Sequence, residues 1–405
     1  MSPLGRVFWL QAVFGWLNFV VAVPSLYLLM GLPLVMREHG WSGTDIGLFQ
    51  LAGLPALFKF ALAWPVQRWR VAAGQFQGWA MLLCLALAVL LWLTGQQALL
   101  DNPLQLFALA LLAGVLATWA DIPVNALAIK LLPPEQQMRA GSVRAAALFL
   151  GAIVGAGVML LVQSRWGWQA PFLVMGAGLL LAVVALACVQ EGKAHALPPV
   201  APLSEGQGGP GFFRQPGAWL WTSLLLGGFP FIGAAWLYLK PLLLDQGMAV
   251  NQVAAIAGIG GGVVGALASL LCGRWWPRLG VDRAIALSLG AALLALCGLT
   301  LAVWLKTGAL GLLLAALLLA VAMGAMSALV FGLMMGFTRQ HRQASDYGLQ
   351  ASLFVASRLL VPIGAGVLLD HFGHLGMLLG LSLAMLAVCL LVLGLSGRLG
   401  ALARA

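Results

Sequence analysis

The chain has 405 residues, of which 62% are hydrophobic and only 8% charged, against about a quarter charged in an ordinary soluble domain. That composition excludes a water-soluble domain and predicts a chain that crosses a membrane many times. The formal charge of +10 does not mark a nucleic-acid binder, because the basic residues follow the loops between apolar stretches.

Apolar stretches long enough to cross roughly 30 Å of hydrocarbon as helices run over 8–36, 44–66, 75–95, 104–129, 145–164, 170–189, 217–243, 251–272, 284–305, 307–336, 346–369 and 376–396. Twelve helices follow. Short-range apolar/polar alternation, the mark of a transmembrane barrel, is absent, so helices are the element that satisfies the buried backbone. The first stretch has no small-residue cleavage site and reads as a retained helix rather than a signal peptide.

In the first stretch Gln11, Asn18 and Ser25 recur every seven residues and share one stripe, with Tyr27 close to it and Pro24 as a possible bend. Asn18 and Tyr27 are candidates to line a substrate cavity; hydrogen bonding between helices is the competing reading. The second stretch holds Lys59, a charge in hydrocarbon whose cost demands a reason. The fourth holds Asp121, with Asn125 one helical turn on and Pro123 between them. Two roles stand open for Asp121: a carrier of the coupling proton, or one half of an intramembrane ion pair with Lys59.

A polar, Pro- and Gly-rich segment at 191–215 separates six stretches from six and predicts a cytoplasmic linker between an N-terminal bundle, 1–190, and a C-terminal bundle, 216–405. In the seventh stretch Lys240, with Trp236 and Tyr238, reads as an interfacial anchor. The Gly-rich run at 257–266 has no preceding strand and no Walker lysine, which predicts close helix packing and not a nucleotide loop. The eleventh stretch carries Gln350, Ser357 and Arg358, a polar side able to meet an anionic or oxygen-rich ligand through a planar guanidinium fork.

With the N-terminus inside, fifteen of the 21 basic residues, Arg144 among them, fall in cytoplasmic segments; three (Arg37, Arg165, Lys306) fall outside and three (Lys59, Lys240, Arg358) within spans. This asymmetry predicts both termini in the cytoplasm. The five cysteines lie in or at the ends of apolar stretches without metal-ligand spacing, and the five histidines sit in loops or at span ends. Neither a metal site nor a cofactor is expected, and no convergent catalytic group argues for a membrane-embedded enzyme.

The halves are related: GAGVMLL at 155–161 matches GAGVLLD at 364–370, an offset of 209 residues that sets Arg358 against Phe149. Six plus six with parallel repeats is similar to the major facilitator arrangement. The loop GRWWPRLGVDR at 273–283 resembles that superfamily's loop signature, and the equivalent loop after the second stretch keeps Arg68 but has Gln67 in the acidic place. Three blocks narrow the match: PSLYLLMGLPLVMREHG at 24–40 leading into GLPALFKFALAWP at 53–65, DIPVNALAIKLLPPEQQMRAG at 121–141, and RWGWQAPF at 165–172. Together they resemble the branch containing the anhydromuropeptide permeases, the acetyl-coenzyme A transporters and single-component siderophore permeases.

The resemblance implies a monomeric secondary transporter of the bacterial inner membrane, taking a small-molecule substrate across the bilayer by alternating access. Muropeptide permeases usually carry a second acid where this chain has Asn125 and an arginine where it has Phe149. Both departures remove charge and shift the expected cargo from a peptidoglycan fragment to an iron-loaded siderophore. On this reading Asn18, Tyr27, Asn125, Gln350, Ser357 and Arg358 contact the substrate and Asp121 carries the proton. The iron arrives chelated, so the protein needs no His or Cys ligands of its own.

Overall fold

The computed structural model describes residues 3–71, 74–96, 99–191 and 211–402. Most of the expected linker, together with Lys193, His195 and Arg404, lies outside the described residues. The chain is an all-α, multi-pass membrane protein. Its apolar helices are α1 (Gly5–Glu38), α2 (Gly43–Arg68), α3 (Phe76–Gly95), α4 (Pro103–Leu131), α5 (Pro134–Trp166), α6 (Gln169–Ala187), α7 (Ala218–Asp245), α8 (Ala254–Leu279), α9 (Val281–Trp304) and α10 (Gly308–Gly336). An apolar stretch from Gln343 to Val392 follows, and Gly373, with φ 66° and ψ −175°, breaks it. That conformation suits a residue without a Cβ, and it separates α11 (343–372) from α12, which begins at 374. Twelve spans result among the described residues.

Several helices depart locally from α geometry where the sequence removes a backbone donor. Pro24 precedes a π turn at Tyr27–Gly31 in α1, and Pro55 lies in a 3₁₀ stretch, Gln50–Phe58, that delivers Lys59 to the start of the α-helical part of α2. α5 starts at Pro134, well before the apolar stretch read from 145, and so carries Arg144 inside the helix. Large apolar side chains such as Leu310, Leu360 and Leu390 remain exposed, as expected of helices that meet lipid on one side and protein on the other.

Contacts divide the chain into two compact units, which are not simple halves of the sequence. The first comprises Met1–Pro133, Ala147–Gly192 and Thr338–Ser352; the second comprises Pro134–Ala146, Lys193–Phe337 and Leu353–Ala405. In the first unit α3 packs along α6 and α4, and α1 packs on α4 and α6. In the second, α10 packs against α8, α9 and α7.

Candidate functional site

The first unit is organised around one carboxylate. Lys59 Nζ lies 2.6 Å from Asp121 Oδ2, with the two side chains only 11% and 15% exposed. The hydroxyl of Tyr347 donates to the same oxygen at 2.8 Å, while Asn125 Nδ2 donates to Oδ1 at 3.0 Å. Asn125 Nδ2 also lies 3.2 Å from Asn18 Oδ1, and Asn18 Nδ2 donates to the Phe14 carbonyl. The chain Lys59, Asp121, Asn125, Asn18 thus links α2, α4 and α1. Donors surround the carboxylate on both oxygens, an arrangement that offsets part of the cost of desolvating an ion pair.

Tyr347 reaches Asp121 because the segment 338–352 is held within this unit at several points. Gln67 Oε1 accepts the backbone N–H groups of Ala344 at 2.9 Å and Ser345 at 3.4 Å, and Gln67 Nε2 donates to the His341 carbonyl. A side chain of α2 therefore caps the first turn of α11, taking N–H groups that have no intrahelical partner. Ser352 Oγ accepts the Phe60 N–H at 3.0 Å. At Gly348 an added Cβ would stand 2.7 Å from Ala63 and 2.8 Å from the Lys59 carbonyl, so a glycine lets the helix lie directly on α2. Arg339 and Asp346 close the segment with a bidentate pair; the Asp346 hydrogen bond holds the guanidinium above its ordinary range.

A second polar cluster fixes one end of this unit. The buried Glu191 carboxylate accepts the Phe76 and Gln77 N–H groups and pairs with Lys130 at 2.7 Å. Glu191, expected as the first residue of a solvated linker, is instead 4% exposed and caps the N-terminus of α3, where a negative charge is favoured.

In the second unit the Arg358 guanidinium stands 5.8 Å from the Phe229 ring and 5.7 Å from the Phe354 ring. Phe354 packs edge-on against Phe331, and the Arg144 guanidinium lies 4.5 Å from the Phe331 ring. Arg144, expected in a cytoplasmic loop, is 5% exposed; the correction follows from the early start of α5. Arg358 is exposed at mid-span of α11, where a guanidinium facing lipid is costly. No hydrogen bond or ion pair of Arg358 occurs among the described residues, and its guanidinium rests against the Phe229–Phe354 ring pair.

The remaining expected site residues are distributed as follows. Tyr27 is fully buried, donates to Gln163 Oε1 at 2.6 Å and packs on Phe172, so it joins α1 to α5 and α6 and presents no surface to a ligand. Gln350 is fully buried in the first unit, with Nε2 3.2 Å from Thr338 Oγ1. Ser357 donates to the Phe354 carbonyl one turn back. Lys240 is exposed. No group of three His, Cys, Asp or Glu able to hold a metal ion occurs among the described residues.

The model of the Major Facilitator Superfamily matches residues 9–362. The chain belongs to this superfamily. It is 27% identical over 212 residues to the anhydromuropeptide permease of Escherichia coli K12, a match covering 48% of this chain and 42% of the permease. The chain thus spans less than half the length of the curated relatives it matches. Among solved structures, a bacterial homologue of the iron transporter ferroportin in an outward-facing state with soaked iron is 18% identical, with a TM-score of 0.71 over 96% of this chain and 99% of that one. The proton:xylose symporter XylE is 12% identical, with a TM-score of 0.75 over 95% and 94% of the two chains. At these identities the structural likeness shows the major facilitator fold, in agreement with the family match.

Proposed function

We propose that this superfamily member is a proton-coupled importer of an intact, iron-loaded siderophore, acting in the bacterial inner membrane by alternating access. Arg358 carries the reading. A guanidinium resting against the packed Phe229–Phe354 ring pair, exposed and without a carboxylate partner among the described residues, is ready to take a carboxylate, phenolate or hydroxamate oxygen of an incoming ligand in charge-assisted hydrogen bonds. The energetic cost of an uncompensated cation at this depth is met when an anionic ligand arrives.

Asp121 is the proton carrier on this reading. Its carboxylate accepts from Lys59, Tyr347 and Asn125. Lys59 and the Asn125 amide nitrogen offer only donors, so a proton placed on Asp121 is shared with the Tyr347 hydroxyl, which turns from donor to acceptor. Proton uptake is thereby turned into a change of contact between α4 and its neighbours. Asn18, Asn125 and Gln350, all buried in the present arrangement, supply neutral hydrogen bonds to the ligand once α11 leaves its present partners. Both termini lie in the cytoplasm, as the distribution of basic residues supports, and 1–190 and 216–405 act as the two halves of a monomer.

The match to the Escherichia coli permease favours a second reading, import of an anhydromuropeptide. Asn125 and Phe149 weigh against it, because each lacks the charge usual in those permeases. Uptake of radioactive iron as a panel of ferric siderophores into iron-starved cells, alongside labelled anhydromuropeptide, separates the two. Entry of one chelate, abolished by uncoupler and by Arg358→Ala, is the expected result. Entry of the muropeptide alone overturns the cargo assignment.

A further inference from the structure

The second unit contains an apolar groove of about 180 Å³, lined by the Trp236 indole, Ile256, Val264 and Leu313, with Gly261 and Ala320 among the small residues. Nothing in the proton or anion chemistry above uses it. The Trp236 ring packs directly on Gly261, so the indole forms a fixed wall.

The groove and Arg358 are related through two helices. Phe229, one of the rings holding Arg358, is seven residues before Trp236; the Gly233 N–H donates to the Phe229 carbonyl, so Phe229 keeps the helical register of α7. Seven residues return to within about 20° of the same face and advance about 10 Å. On α10, Ala320 in the groove and Phe331 in the ring cluster are eleven residues apart, about three full turns, and again share a face. The ring cluster and the groove therefore lie along common stripes of α7 and α10.

We infer that the second unit carries a bipartite ligand site, in which Arg358 takes the anionic head of the cargo and the Trp236 groove takes an apolar arm of the same molecule. The cargo is then an amphiphilic organic anion. This inference rests on the reading of Arg358 as the anion site. A lone guanidinium offers one fork and does not discriminate among the anions of the cell; an apolar pocket at fixed distance supplies that selection, each buried methylene raising affinity about fourfold. Charge argues against a separate lipid occupant, because the stripes end at the Phe229–Phe354–Phe331 ring cluster, against which the Arg358 cation rests, rather than at a uniformly apolar surface.

The test is calorimetric binding to the full-length protein in lipid nanodiscs, with protein-free discs subtracted, using straight-chain carboxylates from hexanoate to dodecanoate and alkyltrimethylammonium ions of matching length. Carboxylate affinity is expected to climb with chain length and then level off, with the ammonium series much weaker. Val264→Phe narrows the groove and flattens the climb, Trp236→Ala moves the plateau to longer chains, and Arg358→Ala abolishes the preference for carboxylate. A climb unchanged in both groove variants overturns the inference while leaving Arg358 as an anion site. Equal binding of both series in the wild type, sensitive to the groove variants, assigns the groove to a lipid chain and also overturns it. Carboxylate binding indifferent to Arg358→Ala overturns the anion-site reading itself.

Discussion

Tyr347 donates its hydroxyl to the Asp121 oxygen that also receives Lys59, at 2.8 Å against 2.6 Å. The two residues are 226 positions apart in sequence. One carboxylate oxygen therefore joins the intramembrane ion pair to the first turns of α11. Tyr347→Phe removes one of the side-chain donors to Asp121 while preserving the ring's packing. With the link between the carboxylate and α11 cut, accumulation driven by a pH gradient is expected to fall several-fold, with affinity for the cargo little changed. Uphill uptake and cargo binding measured on the same preparation check this; accumulation at the wild-type rate removes Tyr347 from the proton step.

Breaking the Lys59–Asp121 pair from one side leaves a buried charge without its counter-ion, at a cost of about 3–5 kcal/mol. Asp121→Asn alone is expected to lower thermal stability in detergent sharply. Adding Lys59→Met to it recovers most of the loss, because the uncompensated ammonium is gone. Fluorescence-detected size-exclusion melting of the two variants reads this directly.

Gln67→Ala uncaps α11, exposing the Ala344 and Ser345 N–H groups at about 1 kcal/mol. Gln67→Glu keeps an acceptor and adds a charge favoured at a helix N-terminus. Amide hydrogen exchange over 343–347 is expected to quicken about fivefold in the first variant and to slow in the second.

Glu191→Ala removes the acceptor for two backbone donors of α3 and the partner of Lys130. A loss of about 2–3 kcal/mol is expected, with faster exchange confined to the amides near Phe76 and Gln77. Exchange spread evenly through the first unit contradicts a local capping role.

The spans and the intramembrane charges were legible because hydrocarbon penalises polar atoms: Lys59, Asp121 and Arg358 stand out in apolar stretches. Gln67 was visible as a neutral residue in an acidic place, although its capping of a distant helix was not. Tyr347 gave no signal, since an aromatic near a span end is ordinary and its partner is remote in sequence. Arg144 and Glu191 were read as loop residues because hydropathy marks where apolar residues begin, whereas α5 starts at a proline eleven positions earlier and Glu191 is buried by the donors it caps. Tyr27 illustrates the converse, a polar group near a polar stripe whose hydroxyl is consumed by Gln163.

Arg358 for the cargo and Asp121 for the proton is a division of labour that proteoliposomes test directly. Purified wild type, Arg358→Ala and the double variant Lys59→Met/Asp121→Asn are loaded with the identified ferric chelate and assayed for counterflow, then for accumulation under an imposed pH gradient. The double variant is expected to exchange cargo but no longer to accumulate it uphill, while Arg358→Ala does neither. Uphill accumulation by the double variant at the wild-type rate, or full counterflow by Arg358→Ala, contradicts it.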